Sequence, residues 1–150
     1  MAAFANATSY SSFDYNGYRP NRGVEAQYMW LSPKSPGVRV YEPQRSDWRT
    51  FATLADLRAA TGQETHGVEV DYDIFENLRG PDHSKRHEPY HAVDLNFQLR
   101  AASKAIDAGV VLPTVNDGFA GRAPDLGALE AGRPAPHYGA RWVTKQPFYR

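Results

Sequence analysis

Two stretches of the chain alternate between apolar and polar residues. In the first, residues 67–75, the apolar positions are Val68, Val70, Tyr72 and Ile74. The polar positions between them include three carboxylates, Glu69, Asp71 and Asp73, which we call the acidic row. The second stretch, residues 93–99, alternates in the same way. Because a period of two residues is typical of a half-buried β-strand, we predict a strand over each stretch.

One segment has the pattern of a helix instead. Leu54 and Leu57 fall on one helical face, Thr53 precedes them as an N-cap with Asp56 three residues later, and Gly62 follows. These are the start and stop signals of a short amphipathic helix. We predict a helix over residues 53–61 that covers a neighbouring sheet.

The remaining first half of the chain predicts short strands and turns. Residues 27–31 and 38–41 are strand-like runs, and the Pro- and Ser-rich residues 32–37 between them predict an exposed loop. Asn16-Gly17 is the strongest turn signal in the chain, because both residue types tolerate positive φ. Residues 79–90 are polar and contain Pro81 and Pro89, so they predict a long loop where function could reside.

Three patterned blocks occupy the last third of the chain, at residues 101–109, 116–122 and 124–130. Asp107 and Asp125 each stand two positions before a glycine, where a short carboxylate can accept backbone N–H groups. We therefore predict that each block is a strand end that turns sharply. In this interpretation the two aspartates are structural rather than catalytic.

The blocks resemble the S-x-A-I-D-A-G, D-x-x-G-x-R and D-I-G-A-x-E segments that end many secreted right-handed parallel β-helix proteins, the pectate-lyase-like relatives of polysaccharide lyases and glycoside hydrolases. The resemblance is strongest over residues 94–130 and partial over 54–75. The chain departs from it at Ala102, where glycine is common, at Lys104, where proline is common, and at Leu129, where an aromatic residue is common. Leu57 likewise stands where tryptophan is common in an L-x-x-W-x-x-x-T-G-x-D segment of the same proteins.

The resemblance implies a mainly β fold, the C-terminal rungs of a right-handed parallel β-helix or a β-rich fragment of one, with one short α-helix. It also implies an extracellular or periplasmic family, although no export signal is visible in residues 1–8. Active sites of the family usually lie on central rungs. We therefore expect a fragment that could have lost the ancestral site, and whose open sheet edge could form a homodimer.

Composition limits the classes of function. The 150 residues predict a single domain, 1–150, and no stretch is apolar enough for a membrane span. Lys and Arg together number 17, as do Asp and Glu, so the chain lacks the basic surface that nucleic acid requires. There are no cysteines, while 13% of residues are aromatic, which suits a surface for sugars or for another protein.

Three groups of residues are candidates for chemistry. Neighbouring carboxylates of the acidic row would lie about 7 Å apart on a strand. They could be a solvated face, a Ca²⁺ site using Asp71 and Asp73, or a catalytic acid and base. His66, directly before the row, is the candidate general base. A possible stacking platform for sugar rings is formed by Tyr15, Tyr18, Arg19 and Trp30.

A histidine-rich segment is the fourth candidate. His83, His87 and His91 recur every four residues, which on a helix would suggest Zn²⁺, but Pro89 argues for a loop. An exposed loop and a metal or acid–base site both remain open for these histidines.

Three functions follow from these observations. The first is a carbohydrate-interacting module derived from a β-helix protein, with no organic cofactor. The second is a small hydrolase of a glycosidic, ester or lactone bond that uses His66, Glu69, Asp71 and Asp73, with or without Ca²⁺. The third is a structural cap that only ends a coil.

Overall fold

A computed structural model describes residues 1–5, 10–32 and 48–135. Within these ranges there are seven strands, β1 (Ala2–Ala5), β2 (Gly17–Tyr18), β3 (Tyr28–Leu31), β4 (Trp48–Phe51), β5 (Val68–Glu69), β6 (Phe75–Asn77) and β7 (Asn96–Leu99). There is one α-helix, α1 (Leu54–Thr61), and there are three short 3₁₀-helices, Tyr72–Ile74, His83–Lys85 and Ala92–Asp94. The predicted strand over 38–41 and the tail beyond residue 135 lie outside the described residues.

The strands form three small sheets. β1 runs parallel to β3, which pairs antiparallel with β4, so the order of the first sheet is β1-β3-β4. β2 and β5 form a parallel pair, and β6 and β7 form an antiparallel pair. The described residues therefore combine small sheets with one helix, which agrees with a β-rich fragment, and these sheets do not close into a coil.

The core lies between the first sheet and α1. Phe4, Tyr28, Trp30, Leu54 and Leu57 are buried together in one cluster. The two leucines come from the apolar face of α1, as the sequence pattern predicts. Burial of such side chains is the main favourable term in folding, so this cluster is the base on which the neighbouring segments are fixed.

The prediction of helix α1 is confirmed. The Thr53 side chain caps its first turn by accepting the backbone N–H of Asp56 at 3.1 Å. Gly62 ends the helix in the left-handed region, with φ of 69°, and its N–H bonds to the Arg58 carbonyl at 2.9 Å. Both signals act within one turn of chain, which is why sequence alone locates them.

The prediction of a long strand over residues 67–75 is wrong. Only Val68 and Glu69 pair in β5, because the Asp71 side chain accepts the N–H of Tyr72 at 2.8 Å and caps a 3₁₀-helix. Exposure still alternates through this segment, so the acidic row stays on the outside. The strand over 93–99 is likewise shorter than predicted, since its first residues form the 3₁₀-helix Ala92–Asp94.

The turn predicted at Asn16-Gly17 is displaced by one residue. Positive φ occurs at Tyr15, at 57°, while Gly17 is already part of β2. The Asp14 carboxylate accepts the Tyr15 N–H at 2.9 Å, and this side-chain bond stabilises the turn before Asn16.

Residues 101–135, here called the turn region, contain no strand. Asp107 accepts the N–H groups of Arg122 and Ala123 at 2.8 and 3.2 Å. Asp125 accepts those of Asp107 and Ala131 at 2.8 and 2.6 Å. The structural role predicted for both aspartates is confirmed, whereas the strand ends predicted beside them are replaced by turns.

Candidate functional site

An aspartate and a histidine from distant parts of the chain meet beside the β2–β5 pair. The His66 ring nitrogen Nδ1 lies 2.8 Å from Oδ2 of Asp14, and the His66 N–H donates to Oδ1 at 2.7 Å. The Tyr15 N–H also donates to Oδ1. Asp14 is thus held from three directions, and its carboxylate fixes the imidazole so that Nε2 is the nitrogen left for other chemistry.

The ring of His66 is stacked as well as hydrogen-bonded. Tyr15 lies over it with ring centroids 4.5 Å apart and an angle of 10° between the planes. The His66 side chain is still 55% exposed. The imidazole is therefore immobilised but accessible, which is the condition that a general base on a protein surface must meet.

The charge of Asp14 supports this arrangement. Partial burial alone would raise the pKa of Asp14, but hydrogen bonds from the His66 ring, the His66 N–H and the Tyr15 N–H together lower it below 3.8. The carboxylate is ionised at neutral pH and stabilises a proton on Nδ1 of His66.

A second carboxylate lies buried below this pair. Glu64 is completely buried, and its Oε1 accepts the hydroxyl of Tyr18 at 2.5 Å and Nδ2 of Asn16 at 2.7 Å. Burial, together with the acceptor Glu64, raises the pKa of Tyr18 well above its ordinary value of 10.0. Tyr18 is therefore a permanent hydrogen-bond donor inside the protein.

The acidic row does not act as one unit. Glu69 accepts the Tyr28 hydroxyl at 2.8 Å and the Leu54 N–H at 3.3 Å, so it links the core to the start of α1. Asp71 is paired with Nε of Arg19 at 2.8 Å. In the described part of the chain, Asp73 alone of the three has no hydrogen bond or ion pair.

Asp71 and Arg19 belong to a small surface cluster. The Arg19 guanidinium lies 4.5 Å from the centroid of the Tyr72 ring, in a cation–π contact. The Tyr72 N–H first, and then Arg19, lower the pKa of Asp71 below 3.8. Asp71 is consequently a poor candidate for a catalytic acid, because it is ionised and already paired.

The acidic row lines a groove against the first residues of the turn region. The groove has a volume of about 530 Å³, and the residues that line it include the apolar Val70 and Ile74. Its charged lining residues, which define the charged groove, are Arg22, Glu69, Asp71, Asp73, Arg100 and Lys104. Negative and positive side chains thus face one ligand-sized space.

The predicted sugar platform is not assembled. Trp30 is 4% exposed within the core cluster, and Tyr18 is part of the polar contact with Glu64. Tyr15 stacks on His66, while Arg19 lies on Tyr72. The platform prediction is wrong for Trp30, since neither face of its ring is open to a ligand.

Among the described residues, no group of three or more His, Asp or Glu side chains is arranged to hold a metal ion. His83, His87 and His91 are all exposed, and His83 begins a 3₁₀-helix rather than an α-helix. The Ca²⁺ site at Asp71 and Asp73 stays a prediction, and it would require a cation to compete with Arg19 for Asp71.

Sequence reasoning missed Asp14 and Glu64. Both act through contacts between segments about fifty residues apart, which no local pattern reveals. The one available signal was the position of Asp14 beside the turn predicted at Asn16-Gly17. That position is typical of an aspartate that stabilises a turn, and it does not indicate that Asp14 contacts His66.

Comparison with family models finds no match, and comparisons with curated proteins and with solved structures find none either. No helix in the described residues is long and apolar enough to cross a membrane. The resemblance to β-helix proteins therefore stays a prediction.

Proposed function

We propose that the chain is a carbohydrate-interacting module derived from the last rungs of a parallel β-helix protein. The observation that carries this proposal is the charged groove, which residues of the acidic row and of the Arg100–Lys104 segment line together. The resemblance of residues 94–130 to the endings of secreted β-helix proteins supports an extracellular or periplasmic location. Nucleic acid is not the ligand in this proposal, because the chain has balanced charge.

The chemistry of the groove suits a sugar. A pyranose ring presents C–H groups on its faces and hydroxyl groups around its edge, and each hydroxyl both donates and accepts a hydrogen bond. Val70 and Ile74, which line the groove, offer apolar contacts for these faces. Asp73 accepts from hydroxyl groups, whereas Arg100 and Lys104 donate to ring and hydroxyl oxygens.

Two backbone features support the β-helix origin. β1 pairs in parallel with β3 so that residue 2 lies beside residue 28, and β2 pairs in parallel with β5. A chain that returns beside itself in the same direction is what each coil of a parallel β-helix does. In addition, Ala102 has φ of 63°, at the position where the related endings have glycine.

Binding of oligosaccharides tests the proposal. We expect titration calorimetry to detect binding to at least one oligosaccharide from a panel of neutral and uronic-acid chains. Asp73→Ala should weaken that binding about tenfold, because it removes a charged hydrogen-bond acceptor from the groove. The matched control is Glu76→Ala, which removes an exposed carboxylate of the same segment outside the groove lining. If no member of the panel binds the parent protein, the structural cap replaces this proposal.

A second function, hydrolysis of a glycosidic, ester or lactone bond, is favoured by the Asp14–His66 contact. In this proposal Nε2 of His66 takes a proton from water as the water oxygen attacks the carbonyl or anomeric carbon, and Asp14 stabilises the resulting imidazolium. The imidazolium then returns the proton to the departing oxygen as the C–O bond to that carbon breaks. Glu69 and Asp71 contribute less than the sequence predicted, since both are engaged in structural bonds.

Removal of the imidazole tests this second function. His66→Gln should lower turnover about 10²-fold, the usual effect of losing a general base. His83→Gln, at an exposed histidine of a different loop, should leave turnover unchanged. Equal turnover in the parent protein and His66→Gln would contradict the assignment.

Melting temperature tests the Ca²⁺ prediction. If Ca²⁺ binds at Asp71 and Asp73, millimolar calcium should raise the melting temperature of the parent protein, and Asp73→Ala should abolish that rise.

A further inference from the structure

The buried carboxylate of Glu64 has a feature that core packing does not explain. Its Oε2 is buried and has no hydrogen-bond partner among the described residues. Oε2 also fills the space beside Gly67, where a Cβ atom would lie 2.7 Å from it. A buried polar atom without a partner destabilises a protein, and an apolar side chain of similar shape would avoid that loss.

The backbone around Glu64 is held in place by other residues. Its N–H bonds to the Phe13 carbonyl at 2.8 Å, and its carbonyl accepts Nε of Arg58 at 2.8 Å. Arg58 also donates to the Gly67 carbonyl at 2.9 Å. Because these bonds fix the 64–67 turn without the side chain, the carboxylate of Glu64 is not needed to form the turn.

The carboxylate instead leads to the imidazole through one side chain. Nδ2 of Asn16 donates to Oε1 of Glu64 at 2.7 Å and to the carbonyl of Asp14 at 3.1 Å. Asp14 in turn fixes Nδ1 of His66. Asn16 therefore joins the carboxylate of Glu64 to the backbone of Asp14, and the side chain of the same aspartate binds His66.

We propose that Glu64 is a positioning residue for His66, acting through Asn16 to hold Asp14 where its carboxylate meets Nδ1. A part for Glu64 in catalysis rests on the hydrolase function proposed above. The effect of Glu64 on the orientation of the His66 imidazole is independent of that function, because it depends only on hydrogen bonds within the folded protein.

The tautomer of His66 is the direct measurement. Long-range ¹⁵N–¹H correlation spectra of the neutral imidazole distinguish a proton on Nδ1 from one on Nε2. We expect the Nδ1–H form in the parent protein, because Asp14 accepts that proton. Asn16→Ala, at an exposed side chain, should shift the population several-fold towards Nε2–H.

Three variants of the buried residues complete the test. Glu64→Gln keeps an acceptor for Asn16 and should preserve the Nδ1–H form, whereas Glu64→Leu removes the acceptor and should shift it as Asn16→Ala does. Tyr18→Phe removes the other donor to Glu64 and should leave the tautomer unchanged. If Glu64→Leu does not fold, the His66 tautomer in Asn16→Ala and in Glu64→Gln still decides whether Glu64 positions His66.

An unchanged His66 tautomer in Asn16→Ala would overturn the proposal, and so would loss of the Nδ1–H form in a folded Glu64→Gln protein. Where hydrolysis is measurable, Asn16→Ala should lower kcat about tenfold with little effect on KM, because it misplaces the base without touching the substrate. A protein with no hydrolase activity would refute the second function and still give the tautomer result.

Discussion

Ala102 has φ of 63°, a left-handed conformation in which its Cβ atom crowds the backbone. Of the described non-glycine residues, Tyr15, Glu64, Asp107 and Thr114 share this conformation. At Asp107 the side chain is held by two backbone N–H groups, which offsets the strain. The methyl group of Ala102 can form no such bond, so the strain there is uncompensated by its side chain.

Replacing this alanine should stabilise the protein. We expect Ala102→Gly to raise the free energy of unfolding by about 1 kcal/mol, because glycine adopts positive φ without a Cβ clash. The measurement is urea denaturation followed by tyrosine and tryptophan fluorescence. Ala101→Gly, at the neighbouring exposed residue without positive φ, should instead lower stability by about 0.5–1 kcal/mol. Equal effects of the two changes would contradict the backbone argument.

The elements of this protein differ in how far the sequence predicts them. Helix α1 was predicted to within one residue, since its cap and its end depend on side chains a few positions away. The acidic strand was predicted too long because the same alternation of apolar and polar residues continues through the 3₁₀-helix Tyr72–Ile74. The hydrogen bond by which Asp71 caps this 3₁₀-helix ends the strand. The sequence does not distinguish an aspartate on the polar face of a strand from an aspartate that caps a helix.

The candidate site was predicted only in part for a related reason. His66 was identified because it precedes the acidic row, but its partner Asp14 is brought to it by the pairing of β2 with β5. That pairing involves only two residues on each strand and leaves no periodic signal. Trp30 was assigned to a sugar-binding surface because amphipathic rings suit sugars, but its side chain is buried in the core.

The turn region should respond to acid. The N–H groups of Arg122 first, and of Ala123 second, lower the pKa of Asp107 below 3.8. A carboxyl with a lowered pKa in the folded state contributes stability that is fully present above its unfolded value and is lost as pH falls below it. We therefore expect the free energy of unfolding to fall below about pH 4, and to fall less steeply in Asp107→Asn.

The acid response of Asp107→Asn requires a matched comparison. Asp73→Asn changes a carboxylate that accepts no hydrogen bond within the described residues. When unfolding is measured by denaturant titration at a series of pH values, it should change the acid dependence of the parent protein less than Asp107→Asn does. If the two variants show the same dependence, the bonds of Asp107 to the 122–123 backbone do not contribute in the way described.

At the scale of the whole molecule, the sheets have open edges in the described residues. β1 is an edge strand of the β1-β3-β4 sheet. Ala2 donates its N–H to Gln27 beside β3, so in a parallel ladder the N–H of Ala3 points to the open side. Such an edge can pair with a second copy of the chain, which is the predicted homodimer.

Sedimentation across a concentration series measures this association. We expect the mean mass to rise towards twice that of one chain, and Ala3→Pro to hold it at the monomer value, because proline removes the outward N–H without breaking the bonds to β3. The melting temperature of the monomer should change little. A parent protein that stays monomeric at high concentration would contradict edge pairing and weaken the fragment interpretation.

The bond between Asp14 and His66 also determines when the site can form as the chain folds. These residues are 52 positions apart, while the caps of α1 join residues three or four positions apart. Closing a long loop has an entropic cost that grows with its length, and only packing of the two segments against the rest of the protein offsets it. Because an isolated helix of eight residues is marginal in water, α1 does not form ahead of that packing, and the oriented imidazole appears together with the tertiary fold.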